Sequence, residues 1–116
     1  VMGTCAGLII LAREADRLPR EPLNLIDISV DRNAYGRQIE SFVDTVQIAL
    51  NGSETAFEAV FIRAPKIVRT GKDVVPLARH NENVVLARSG NILVASFHPE
   101  LTDDARIHRY FIEHVG

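Results

Sequence analysis

Apolar and polar positions mark out a short series of elements along the chain. Val1-Met2-Gly3-Thr4-Cys5 reads as the last step of a strand, with a tight turn continuing through Ala6-Gly7. Leu8-Ile9-Ile10-Leu11-Ala12-Arg13-Glu14 then reads as the start of a helix. Pro19 and Pro22 sit among charges, which predicts a surface connector. Leu25-Ile26-Asp27-Ile28-Ser29-Val30 alternates as a strand does, and turn formers break it over residues 31–37. Residues 42–50 predict a second strand, with Val43, Val46 and Ile48 as β-formers. Asn51-Gly52-Ser53 is a turn signal. Ala59-Val60-Phe61-Ile62 is fully apolar, the pattern of a buried strand.

Four more short strands are expected over residues 67–69, 74–79, 84–88 and 92–97. Gly71, Asn81 and Ser89-Gly90-Asn91 separate them as turns, and the close spacing predicts antiparallel hairpins. Residues 103–115 predict a closing amphipathic helix, with Ile107, Phe111 and Val115 on one face and Thr102 or Asp103 as its cap. A first strand this short cannot hold its place in a sheet. The expectation is therefore further sequence on the N-terminal side, and a three-layer α/β domain of which these residues are one part.

Composition narrows the function classes. The chain has 116 residues, enough for one domain at most. Its 47% apolar and 24% charged content is that of an ordinary soluble globular protein. The net charge of −2 gives no basic excess that would point to nucleic acid or an anionic membrane. The apolar stretches at residues 7–12 and 84–87 are too short to span a bilayer. A single Cys allows no internal disulfide and suits a reducing, cytoplasmic setting. No Cys/His pairs stand at zinc spacing, so no metal is expected.

Gly3-Thr4-Cys5-Ala6-Gly7 has the form Gly-x-nucleophile-x-Gly, a nucleophile elbow with Cys in place of Ser. The strained turn needs small neighbours, so Gly on both flanks would let the backbone pass close by. A helix starting behind it would favour the thiolate and aim the Ala6 N–H at an oxyanion. On its own, a lone Cys is more often a buried structural residue. The second constellation is Ser96-Phe97-His98-Pro99-Glu100 at the end of the last strand. Side chains two apart in extended chain share a face, so His98 and Glu100 emerge together as a base and its orienter. A His-x-Glu pair alone is more often a solvated loop pair. Together the two pieces make a nucleophile–base–orienter set, beyond the strand ends where α/β folds build sites.

These residues, in this order, resemble the class I (triad) glutamine amidotransferases. Within them, Asp31-Arg32-Asn33-Ala34-Tyr35-Gly36-Arg37-Gln38, Val60-Phe61-Ile62-Arg63-Ala64-Pro65 and Ala95-Ser96-Phe97-His98-Pro99-Glu100-Leu101-Thr102-Asp103 resemble the glutaminase subunits of pyridoxal phosphate synthase. The resemblance implies a flavodoxin-like domain of which residues 1–116 are the C-terminal part, lacking its N-terminal βα units. It implies glutamine hydrolysis to glutamate and ammonia, with Cys5 as nucleophile, His98 as base, Glu100 as its orienter and Ala6 in the oxyanion hole. Arg32, Ile62 and Arg63 would line the glutamine pocket, Arg32 as the fork for the substrate carboxylate. A surface ion-pair role stays open for Arg32 and Arg63. Arg37 and Gln38 would face either the same pocket or a partner, and so would Tyr35.

No cofactor is implied. The implied partner is a (β/α)8 barrel synthase subunit assembled as a ring, with glutaminase activity low until it docks. The family's Gly-rich Gly-Gly-Glu-Ser-Thr-like turn, which supplies a second oxyanion donor, does not stand in these 116 residues. Two other readings remain: a glutaminase serving imidazole glycerol phosphate or a purine precursor, and a non-catalytic fragment that only binds its partner. His80 is expected solvated, and His108 and His114, six apart on the last helix, make an improbable metal pair.

Overall fold

The strand Ile92–Ala95 is buried at every position because layers close over both of its faces. The computed structural model describes residues 1–15, 22–31, 41–50, 52–62 and 64–115. In chain order the elements are β1 (Met2–Thr4), α1 (Ala6–Leu11), β2 (Ala12–Ala15), β3 (Ile26–Asp31), β4 (Ser41–Leu50), β5 (Ser53–Ile62), β6 (Lys66–Thr70), β7 (Val75–His80), β8 (Asn83–Ser89) and β9 (Ile92–Ala95). A 3-10 turn (Pro99–Leu101), α2 (Arg106–Tyr110) and a π-helical turn (Phe111–Val115) close the chain.

Among the described residues the strands form a six-stranded sheet, ordered β1-β9-β8-β7-β4-β5, and a three-stranded one, ordered β2-β3-β6. β1 runs parallel to β9 with Thr4 opposite Ala95, while β9, β8 and β7 form an antiparallel meander. Alternation along β9 sends Leu93 and Ala95 to one core and Ile92 and Val94 to the other. The first core is closed by Ile107, Tyr110 and Val115 at the C-terminal end. The second is closed by Leu8 and Leu11 of α1 and by Ile26, Ile28, Val30 and Ile67 of the small sheet.

The expected order of helix, strands and closing helix holds, and the large sheet is covered on both faces. The three-layer expectation is corrected in its content. Among the described residues the helical cover is short, Ala6–Leu11 on one face and the run Arg106–Tyr110 with Phe111–Val115 on the other, and a second sheet shares the cover with α1. The helix expected over residues 8–14 ends at Leu11, because Ala12–Ala15 pairs in parallel with β3. The apolar stretch of residues 59–62 is the end of a ten-residue strand with alternating burial, paired with β4 across the Gly52 turn (φ +80°). β6 joins β3 in the small sheet rather than the meander. At the last helix neither Thr102 nor Asp103 is the cap; Ala105 holds that position, and Asp104 Oδ1 accepts the Arg106 N–H at 3.1 Å. The expected buried face is correct, with Ile107 and Val115 buried and Phe111 packed against the same core.

Candidate active site

Cys5 occupies the turn between β1 and α1 at φ 48°, ψ −101°. A positive φ at a residue with a Cβ is sparsely populated and costs of order 1–3 kcal/mol. The surroundings hold it there. The Cys5 N–H donates to Ala95 O at 2.9 Å, and the Cys5 carbonyl accepts from the Ile9 N–H at 3.1 Å. Gly3 lets α1 sit down on β1, since a Cβ there would lie 2.7 Å from Leu11 Cδ1 and 2.9 Å from the Gly7 carbonyl oxygen. The second flank does not repeat this: a Cβ at Gly7 would meet nothing within 4 Å. The close approach expected of both glycines belongs to Gly3 alone.

The Cys5 side chain is 8% exposed, and Sγ donates to the Ser96 carbonyl at 3.3 Å. Burial, and after it the negative charge of Glu100, push the thiol up from 9.0 to about 11. That shift runs against the expected preference for the thiolate, since burial and the Glu100 charge both favour the protonated thiol. The Ala6 N–H, first in α1, has no acceptor among the described residues.

Parallel pairing with β1 delivers the other half of the site. β9 ends at Ala95 beside Thr4, and Ser96 follows beside Cys5. His98 and Glu100 come together, with Nδ1 2.6 Å from Oε2. The 3-10 turn begun by Pro99 folds Glu100 back toward the ring. Burial works to raise the Glu100 carboxyl, but its own backbone N–H, the His98 hydrogen bond and the charges of His98 and His108 outweigh that. Glu100 therefore lies below its ordinary value and accepts at neutral pH, so Nδ1 donates and Nε2 is left to act as a base. The His98 backbone N–H is itself tied to Val60 O at 2.8 Å.

Ile62, at the end of β5, is 39% exposed. Arg32 and Arg63, and with them Tyr35, Arg37 and Gln38, lie outside the described residues. His80, expected solvated, is instead 9% exposed and bonded to Asp44. The inward parity it shares with Ala78 on β7 was the available signal. Among the described residues no group of three or more His, Cys, Asp or Glu is placed to hold a metal ion. Nor is any described helix long and apolar enough to cross a membrane.

The chain is 54% identical over 115 residues to the pyridoxal 5'-phosphate synthase subunit PdxT of Thermosipho africanus, covering 99% of this chain and 60% of that protein. The PdxT subunit of Pelotomaculum thermopropionicum is 57% identical over 113 residues, covering 97% and 57%. The chain thus spans about 60% of the length of the curated relatives it matches. A crystal structure of a glutamine amidotransferase superposes with a TM-score of 0.86 at 49% identity, covering 97% of this chain and 58% of that one. The family model for SNO glutamine amidotransferases matches residues 1–116, and the chain belongs to that family.

Proposed function

We propose that this chain is the C-terminal part of a single glutamine amidotransferase domain, flavodoxin-like and completed by N-terminal βα units. The complete protein hydrolyses glutamine and passes the ammonia to a synthase subunit that makes pyridoxal 5'-phosphate in the cytoplasm. That partner is a (β/α)8 barrel assembled as a ring. No cofactor is required for thiol hydrolysis of an amide.

One observation carries the reading. Two parallel neighbouring strands end with a strained, buried Cys5 on one and a His98–Glu100 pair at 2.6 Å on the other. In this reading His98 takes the Sγ proton and sulfur attacks the side-chain amide carbon of glutamine. The Ala6 N–H receives the oxyanion. Collapse breaks the C–N bond, and His98 returns its proton to the leaving ammonia, with a thioester left on Cys5. Water then attacks the thioester carbon, giving a proton to His98; the C–S bond breaks, glutamate leaves, and His98 returns the proton to Sγ. Glu100 steadies the imidazolium throughout. Ile62, Arg32 and Arg63 hold the substrate, with Arg32 on its carboxylate.

A thiol raised to about 11 and bonded to the Ser96 carbonyl has to give up its proton before it can attack, which is the work this reading assigns to His98. A second oxyanion donor has to come from a Gly-rich turn that these residues do not contain, and such a donor is worth about 100-fold or more in rate. The test is ammonia release from glutamine by the full-length glutaminase with its synthase subunit. The reading expects release that disappears in Cys5→Ala; release at the wild-type rate in Cys5→Ala overturns it.

A further inference from the structure

His80 is buried outside the Cys5–His98–Glu100 set. It ends β7, and its neighbours Asn81 and Glu82 are exposed. Its Nε2 lies 2.8 Å from Asp44 Oδ2. That hydrogen bond, and after it the Thr45 backbone N–H, hold the Asp44 carboxyl below its ordinary value. Asp44 is therefore an ionised acceptor at neutral pH, and Nε2 must donate. Nδ1 is buried without a partner among the described residues. Packing alone would be served better by an apolar ring, which leaves no polar atom unsatisfied.

The pair stands at the shortest ladder of the six-stranded sheet. β4 meets β7 through only two residue pairs, Gln47 with Arg79 and Ile48 with Ala78. Asp44 and His80 fasten the same two strands beyond the end of that ladder. The His80 ring lies 5.2 Å from Phe61 and 5.7 Å from Phe42, and those two rings stack at 4.6 Å. Phe61 meets Phe97 edge-on at 5.8 Å. Phe97 precedes His98, and Val60, which precedes Phe61, accepts the His98 N–H. A continuous path of contacts thus runs from Asp44 through His80 and Phe61 to the backbone of His98.

We infer that His80 is a positioning residue: with Asp44 it latches the β4–β5 hairpin onto the sheet, and the hairpin then holds His98 in line with Cys5. The inference rests on the glutaminase reading. The test uses the full-length glutaminase with its synthase subunit and three variants, Asp44→Ala, His80→Leu and His80→Gln. Asp44 is a surface residue, so Asp44→Ala removes no buried side chain and acts only by taking the acceptor from the His80 ring. Asp44→Ala and His80→Leu should each lower kcat by about 10- to 100-fold, the scale of a misplaced catalytic group, with KM for glutamine changed much less. Hydrogen exchange at the His98 N–H should quicken in both. His80→Gln, which keeps a donor for Asp44, should recover most of the loss.

An unchanged kcat and unchanged His98 exchange in Asp44→Ala would overturn the latch. So would a kcat loss equal in all three variants, which is the mark of general destabilisation. If the wild-type complex releases no ammonia, the glutaminase reading fails first. The His98 exchange rate needs no turnover and still decides the latch.

Discussion

Titration of Cys5 with a small disulfide reagent reads the environment built around its thiol. Burial first, and Glu100 second, set the thiol at about 11 instead of 9.0. At about pH 8 that leaves roughly 0.1% thiolate where an ordinary cysteine of that value has roughly 10%, about 100-fold less. A more basic thiolate is also a better nucleophile. With a Brønsted slope of about 0.4–0.5, two units return about 6- to 10-fold. The net expectation at about pH 8 is exchange roughly 10-fold slower than with free cysteine, before any steric slowing from burial. The rate should climb about tenfold per pH unit from about pH 7 to about pH 10 without a plateau, whereas free cysteine flattens near pH 9. Glu100→Gln removes the second cause and leaves the first. It should speed the reaction at about pH 8 without restoring the rate of free cysteine. A plateau below about pH 9, or a Glu100→Gln rate equal to wild type, refutes the argument.

Other perturbations separate the physical causes. Gly3→Ala drives a methyl into Leu11 and the Gly7 carbonyl and should lower stability by about 1–3 kcal/mol in urea unfolding, while Gly7→Ala should be neutral or gain up to about 1 kcal/mol as a helical Gly-to-Ala change. The folded Cys5 thiol keeps its proton to about 11 and an unfolded one releases it near 9.0, so its contribution to stability is complete below 9.0 and lost as pH rises through about 11. Cys5→Ser should therefore lose less stability than wild type between those values, as read from urea midpoints on either side. Ile107, fully buried against the first core, should cost about 2–5 kcal/mol as Ile107→Ala, measured by the same unfolding curves.

The strands β3, β4 and β7 to β9 were legible because apolar residues and turn formers punctuate them directly. β2 was not, since Leu11-Ala12-Arg13-Glu14 favours helix locally and only pairing with Ile26, Ser29 and Val30 makes its end extended. β5 was legible only where it is apolar. Its polar half is a strand because all ten residues face β4. The candidate site was legible in its residues and less so in its electrostatics. Cys5, His98 and Glu100 stand out by type and spacing, but the rise of the Cys5 thiol comes from burial and from a carboxylate far along the chain. His80 looked solvated among Arg79, Asn81 and Glu82, because its acceptor, Asp44, lies 36 positions away.

In the proposed reaction Cys5 carries the glutamyl group as a covalent thioester. Acid-quenched turnover of the full-length glutaminase with its synthase subunit, followed by peptide mass mapping, tests it directly. The expected result is a glutamyl thioester on the Cys5 peptide that appears with glutamine and is absent without it. Ammonia release with an unmodified Cys5 peptide, undiminished in Cys5→Ala, would contradict it.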